Sequence, residues 1–160
     1  MEPGDVDAIY RWENDPTVWT VSASHQPFSR HAVQKYIDEN SLCDIYTSRQ
    51  LRLMADNGEA SVGCVDLYNF DPHHRRAAVG ILVDPAYRGE GYGTAIINEL
   101  LQFAAKHLNM HQIYCTTTPD NISCIKMFER CGFSRCGILN DWVFDAGTFK
   151  PSIMFQKILS

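Results

Sequence analysis

The chain has 160 residues, 45% of them hydrophobic, with a formal net charge of −5. That length suits one well-buried core and is short for two. Lys and Arg are scattered rather than massed, which argues against a nucleic-acid backbone as partner. No apolar run reaches the length of a membrane span, and "MEPGDVDAIY" has neither a basic nor an apolar leader region. Cytoplasm is the default location.

In chain order, "GDVDAIYRWEND" places Val6, Ile9 and Tyr10 at helical spacing, with Asp5 as N-cap and Pro16 as stop. "SRHAVQKYIDENS" carries Ala32, Val33, Tyr36 and Ile37 on one face behind Ser29, and reads as a second helix. The period then changes to two. "QLRLMAD" and "ASVGCVDLYNF" form a hairpin around Asn57-Gly58, and "DPHHRR" is a second turn leading into "AAVGILV". Residues 79–83 are apolar on both parities, as in a central strand covered on both faces. Ile96, Ile97, Leu100, Leu101, Ala104 and Leu108 mark the clearest helix. "QIYCTTT" is a short strand, "NISCIKMFERCGF" a helix stopped by Gly132, and "WVFDAGTFKPSIMFQKIL" a terminal hairpin around Ala146-Gly147. The expected class is α/β or α+β: a mixed sheet with flanking helices, residues 1–160 forming one domain.

Between the strand ending at Val83 and the long helix lies "DPAYRGEGYGT". Glycines at a strand-to-helix junction let a ligand approach bare main chain, where free N–H groups and the helix dipole bind phosphate. A Walker A loop fails, because no Lys follows the glycines. A dinucleotide fingerprint fails too: Thr94 stands at its third glycine, and two helices and a hairpin come first. Arg88, Gly91 and Gly93 satisfy a third pattern, Arg/Gln-x-x-Gly-x-Gly/Ala.

Through that pattern the chain resembles the GNAT superfamily of acetyl-CoA-dependent N-acetyltransferases. "DNISCIKMFERCGF" is similar to the superfamily's second signature, an Asn followed by a helix ending in Gly-Phe. The resemblance implies a splayed sheet and acetyl-CoA as co-substrate. Amides of Arg88, Gly89, Glu90, Gly91, Tyr92, Gly93 and Thr94 would hold the pyrophosphate. The main chain of Ile81, Leu82 and Val83 would pair with the pantetheine arm, and Asn121 and Arg130 would touch the coenzyme. Direct attack by a neutral primary amine on the thioester is the implied reaction.

"FDPHHRRAAVGILVDPAYRGEGYG" and "DWVFDAGTFKPSIMFQKIL" resemble the spermidine/spermine and ribosomal-protein N-terminal acetyltransferases of the superfamily. The reactive positions depart from that pattern. Phe128 stands where such enzymes have a Tyr general acid, Ala78 at an acidic position, and Asn69 where a second acid is offered. His25 or Gln26 replaces a Glu in the loop after the first helix. Relatives also start with a further strand, so the first strand is expected to be missing or truncated, with a homo-oligomeric partner or a loop over the open sheet edge. The substitute proton carriers are Tyr114, Cys124, Asp66 and His25, with Cys115 beside them, each also readable as a core or surface residue. Trp12 and Trp19 fall where relatives build the acceptor site, with His25 and Asn69 as further substrate candidates. His73 and His74 read as solvated turn residues. His107 and His111 lack a third ligand, so no metal is expected. The acceptor is expected to be a small amine, a polyamine among the options, or a protein N-terminus. The alternative is a non-catalytic acyl-CoA-binding sensor.

Overall fold

A computed structural model describes residues 1–19 and 26–159. Its helices are α1 (Val6–Glu13), α2 (Pro16–Trp19), α3 (Arg30–Ser41), α4 (Ile45–Ser48), α5 (Tyr92–Lys106) and α6 (Ile122–Arg130). Its strands are β1 (Leu51–Asp56), β2 (Ser61–Asp71), β3 (Arg76–Val83), β4 (Gln112–Thr117), β5 (Ser134–Asp145) and β6 (Thr148–Ile158). They form one sheet in the order β1-β2-β3-β4-β6-β5, antiparallel except for β3 beside β4.

Alternation along the strands divides the sheet into two faces. Val65 and Leu67, Ala77 and Val79, Ile113 and Cys115, and Ile153 and Phe155 pack with Ile97, Leu100, Leu101 and Ala104 of α5 and Ile125 and Phe128 of α6. The opposite face carries Met54, which packs against a smaller cluster of Ile9, Val33 and Ile37 from α1 and α3. The same parity places Arg52, Cys64, Asp66, Tyr68, Ala78, Gly80 and Tyr114 on that second face.

The cap of α3 is as the sequence predicts: the Ala32 N–H donates to Ser29 Oγ at 3.1 Å. The α6 stop also holds. Gly132 has φ +82°, and the Phe133 N–H reaches back to the Phe128 carbonyl at 3.0 Å. Three expectations change. Asp5 precedes α1 but makes no side-chain cap to it; instead it closes a reciprocal capping box with Glu2 over a short 3-10 turn. Pro16 does more than follow the end of α1 at Glu13: it opens α2, because proline suits a first turn that has no partner for its missing N–H. The terminal hairpin begins at Ser134, well before Trp142, although its turn at Ala146 and Gly147 (φ +48° and +83°) is the expected one.

Beside the site, β3 and β4 pair over only three residues, Arg76↔Gln112, Ala77↔Ile113 and Ala78↔Tyr114. Beyond these β3 continues to Val83 against β2, while β4 continues to Thr117 against β6. The two central strands therefore part at Val79 and Cys115.

Candidate active site

The parting strands open a cleft of about 910 Å³ that runs from the N-terminus of α5 to α1 and α3. Its first wall is main chain. Gly89 and Gly91 have φ +83° and +90°, and a Cβ built on either would meet nothing within 4 Å. Both need glycine for their left-handed backbone, and both face open space where a ligand can come close. Gly93 serves the packing of helices instead. A Cβ there would stand 2.7 Å from Met127 Sδ, so its bareness lets α5 approach α6. The Arg88 guanidinium folds back, with Nε donating to the Val83 carbonyl at 3.0 Å. Asn121 Oδ1 caps α6 by accepting from the Cys124 N–H at 3.3 Å.

Ile81, Leu82, Val83, Arg88, Gly89, Gly91, Tyr92, Gly93, Thr94, Asn121 and Arg130 all line the cleft; Glu90 is exposed and does not. With two left-handed glycines over an open helix N-terminus and a strand open on its β4 side, these residues fit a pyrophosphate joined to an extended arm.

The second wall is built from side chains on the other sheet face. Arg52 binds Asp66 bidentately, Nε to Oδ1 at 2.7 Å and Nη2 to Oδ2 at 2.9 Å, and reaches Glu13 Oε1 from Nη1 at 3.0 Å. Its guanidinium lies 5.5 Å from the Tyr36 ring centroid. Burial works against the charge on Arg52, but Asp66 more than offsets it and lifts the guanidinium's pKa. Burial also pushes the neighbouring Cys64 thiol up to about 12.

Asp84 joins the two walls. The residue is 5% exposed, and its carboxylate accepts from Trp12 Nε1 at 2.8 Å and from the Ala86 N–H at 2.9 Å, with Arg11 completing an ion pair. Burial opposes its ionisation, yet the bonds from Trp12, Ala86 and Arg11 prevail and hold its pKa below the ordinary carboxylate value.

The family is now decided: residues 1–134 match the description "Acetyltransferase (GNAT) domain". This chain belongs to the GNAT acetyltransferases. Accordingly it is an acetyl-CoA-dependent N-acetyltransferase. The chain is 23% identical to spermidine N(1)-acetyltransferase of Vibrio cholerae, over 94% of this chain and 85% of that protein. Against the Escherichia coli K12 spermidine N(1)-acetyltransferase the identity is 25%, over 96% and 80%. The structure of the Vibrio cholerae spermidine enzyme in complex with CoA and spermine superposes with a TM-score of 0.87 at 22% identity, covering 99% of this chain and 92% of that one.

In this GNAT domain the proton-carrier candidates separate. Asp66 lines the cleft, but both its oxygens are engaged by Arg52, so it is not a free base. Cys124 lines the cleft one turn before Phe128; burial raises its pKa while Thr117 lowers it, and the net direction is up. Cys115 faces the helix-packed core, and burial raises its pKa as well. Tyr114 does not line the cleft. Phe128 is buried, its ring 5.0 Å from that of Phe133. His25 lies outside the described residues.

Among the acceptor candidates, Trp12 lines the cleft, but its indole N–H is committed to Asp84. Asn69 is displaced from the role expected of it. It sits exposed with φ +50° at an irregularity of β2 between Tyr68 and Asp71, a conformation Asn tolerates, and does not line the cleft. Of Trp19 only the backbone, at the end of α2, is described. Sequence reasoning missed Glu13, Arg52 and Tyr68. The available signal was strand parity: Tyr68 shares its face with Asp66.

Proposed function

We propose that this GNAT domain acetylates a primary amine of a small polyamine of the spermidine type, working as one domain within a homo-oligomer. The observation that carries the acceptor reading is the acidic wall: two carboxylates, Glu13 and Asp66, line the cleft around one guanidinium, beside the point where β3 and β4 part. A polycation gains most from such a wall in a cleft where field lines are focused. The spermidine acetyltransferases of Vibrio cholerae and Escherichia coli support this reading by their similarity over nearly the whole chain.

Acetyl-CoA supplies the acetyl group as a thioester. The amides of residues 88–94 would hold its pyrophosphate, and the main chain of Ile81–Val83 its arm. Main-chain N–H groups at the gap would steady the carbonyl oxygen as charge develops there. A primary amine has a pKa near 10 and must lose a proton before it attacks, so the cleft has to admit water or a proton acceptor. For the oligomer, the support is the β5–β6 hairpin: Ile138, Trp142, Phe144 and Phe149 are each at least 60% exposed, a larger apolar display than an isolated subunit ordinarily carries. A relative from Vibrio cholerae is described as dodecameric. The six free cysteines suit a reducing compartment, which supports a cytoplasmic location.

The test measures CoA release and product mass with spermidine, spermine, a monoamine, and peptides with Ala or Ser at the N-terminus. Turnover of spermidine above the others is expected. Turnover of the peptides alone would replace the acceptor, and thermal stabilisation by acetyl-CoA without turnover of any acceptor would replace the enzyme with a coenzyme sensor.

A further inference from the structure

We propose that the Tyr68 hydroxyl holds the attacking nitrogen of the acceptor at the point where β3 and β4 part. The inference rests on the amine-acetylation reading above and adds the residue that touches the amine.

The placement follows from register. Tyr68 pairs with Ala78 on β3, and Ala78 pairs with Tyr114 on β4 in the last row before the strands separate. Further along β3, Gly80 is bare; a Cβ there would stand 3.6 Å from Tyr68 Cε1, so the ring lies across the first part of β3 that has lost its β4 neighbour. Tyr68 lines the cleft and is 38% exposed, so a ligand there can reach it. It sits on the face of Arg52 and Asp66, the acceptor wall, not on the face of α5 and α6. On this stretch of β3 neither Ala78 nor Gly80 carries a polar side chain. The phenol fills that place from the adjacent strand.

Burial, reinforced by Tyr114, raises the Tyr68 pKa, so the hydroxyl stays protonated through the range in which an amine is acetylated. A neutral phenol accepts one hydrogen bond from an amine N–H and aims the nitrogen lone pair away from itself, toward the gap. In the balanced step the acceptor ammonium first loses one proton to water. The C–N bond then forms as the C–S bond breaks, and a second nitrogen proton ends on the released thiol sulfur. Tyr68 keeps its own proton throughout.

Tyr68→Phe removes the hydroxyl and keeps the ring over Gly80. Three quantities are compared in wild type and variant: acetyl-CoA affinity, kcat/KM for spermidine, and spermidine affinity for the CoA complex. Unchanged acetyl-CoA affinity is expected, with kcat/KM lower by roughly tenfold to a hundredfold and spermidine binding weaker by about tenfold, the scale of a hydrogen bond to a charged or reacting amine. Equal turnover and equal spermidine binding in the two proteins would overturn the assignment, as would a loss of acetyl-CoA binding, which would mark Tyr68 as structural. If wild type forms no product, the catalytic reading fails, and the spermidine affinities still decide Tyr68. Absence of spermidine binding to both proteins would overturn both.

Discussion

The two walls of the cleft are made of different material. The wall proposed for the coenzyme is main chain: Gly89 and Gly91 in left-handed conformations, a helix N-terminus, and a strand open on its β4 side. The wall proposed for the acceptor is side chain: Arg52 held between Asp66 and Glu13, Tyr36 beside it, and Tyr68 at the gap. A backbone cradle recognises what every member of a family binds, and its demands fall on glycine and a few spacings. A side-chain wall recognises what one member binds, and it can change residue by residue while the fold stays the same.

The sharpest way to break this contrast is Gly91→Asp. The new Cβ meets no protein atom, so the loss comes from φ +90° and from a carboxylate beside the pyrophosphate. Acetyl-CoA affinity should fall by at least about a hundredfold, while backbone strain costs only about 1–2 kcal/mol. Calorimetric titration with unchanged affinity would remove the cradle assignment.

On the other wall, Arg52→Met removes the guanidinium that binds Asp66 through two hydrogen bonds and reaches Glu13. Steady-state kinetics should show a KM for spermidine lower by roughly threefold to tenfold, and the fold should lose about 1–3 kcal/mol with the half-buried Arg52–Asp66 pair. A higher KM would show that Arg52 itself holds the acceptor.

Asp84→Asn acts on both walls at once and should cost about 1–3 kcal/mol in denaturant unfolding. Because the folded pKa of Asp84 is depressed, its contribution is fully present above the ordinary Asp value, near 3.9, and is lost as pH falls through the lower folded value. The wild-type advantage over the Asn variant should therefore shrink only in that acid window. An advantage that stays flat through the whole acid limb, down to about pH 2, would refute the linkage.

The smallest effect is expected from Phe128→Tyr. Phe128 is 2% exposed and packed on Phe133, so turnover should stay within about twofold or rise, with up to about 1 kcal/mol lost to a buried hydroxyl. A large drop in kcat would show that a Tyr is not tolerated at position 128.

The same contrast explains what could be read from the sequence. The glycine-built turn into α5 is legible because glycine spacing and the strand-to-helix change of period are local, and so are the caps at Ser29 and Gly132. The separate role of Gly93 is not, since Met127 reaches it from another helix. The acceptor wall depends on pairings across strands: Arg52 opposite Asp66, and Tyr68 opposite Ala78. Asp66 reads as a lone acid in the sequence because its partner lies 14 residues away on the next strand. The family resemblance puts Asn69 at the site, whereas in the fold it sits exposed at the irregularity after Tyr68, with φ +50°.

Asp84 belongs to the "DPAY" that begins the coenzyme loop, yet two of its partners, Arg11 and Trp12, are on the helix of the opposite wall. It ties the two walls together. A ligand that stills one wall should therefore also still the other. Amide hydrogen exchange should consequently slow in α1 as well as in residues 85–94 when acetyl-CoA binds, and the Asp84→Asn protein should lose the response in α1 alone.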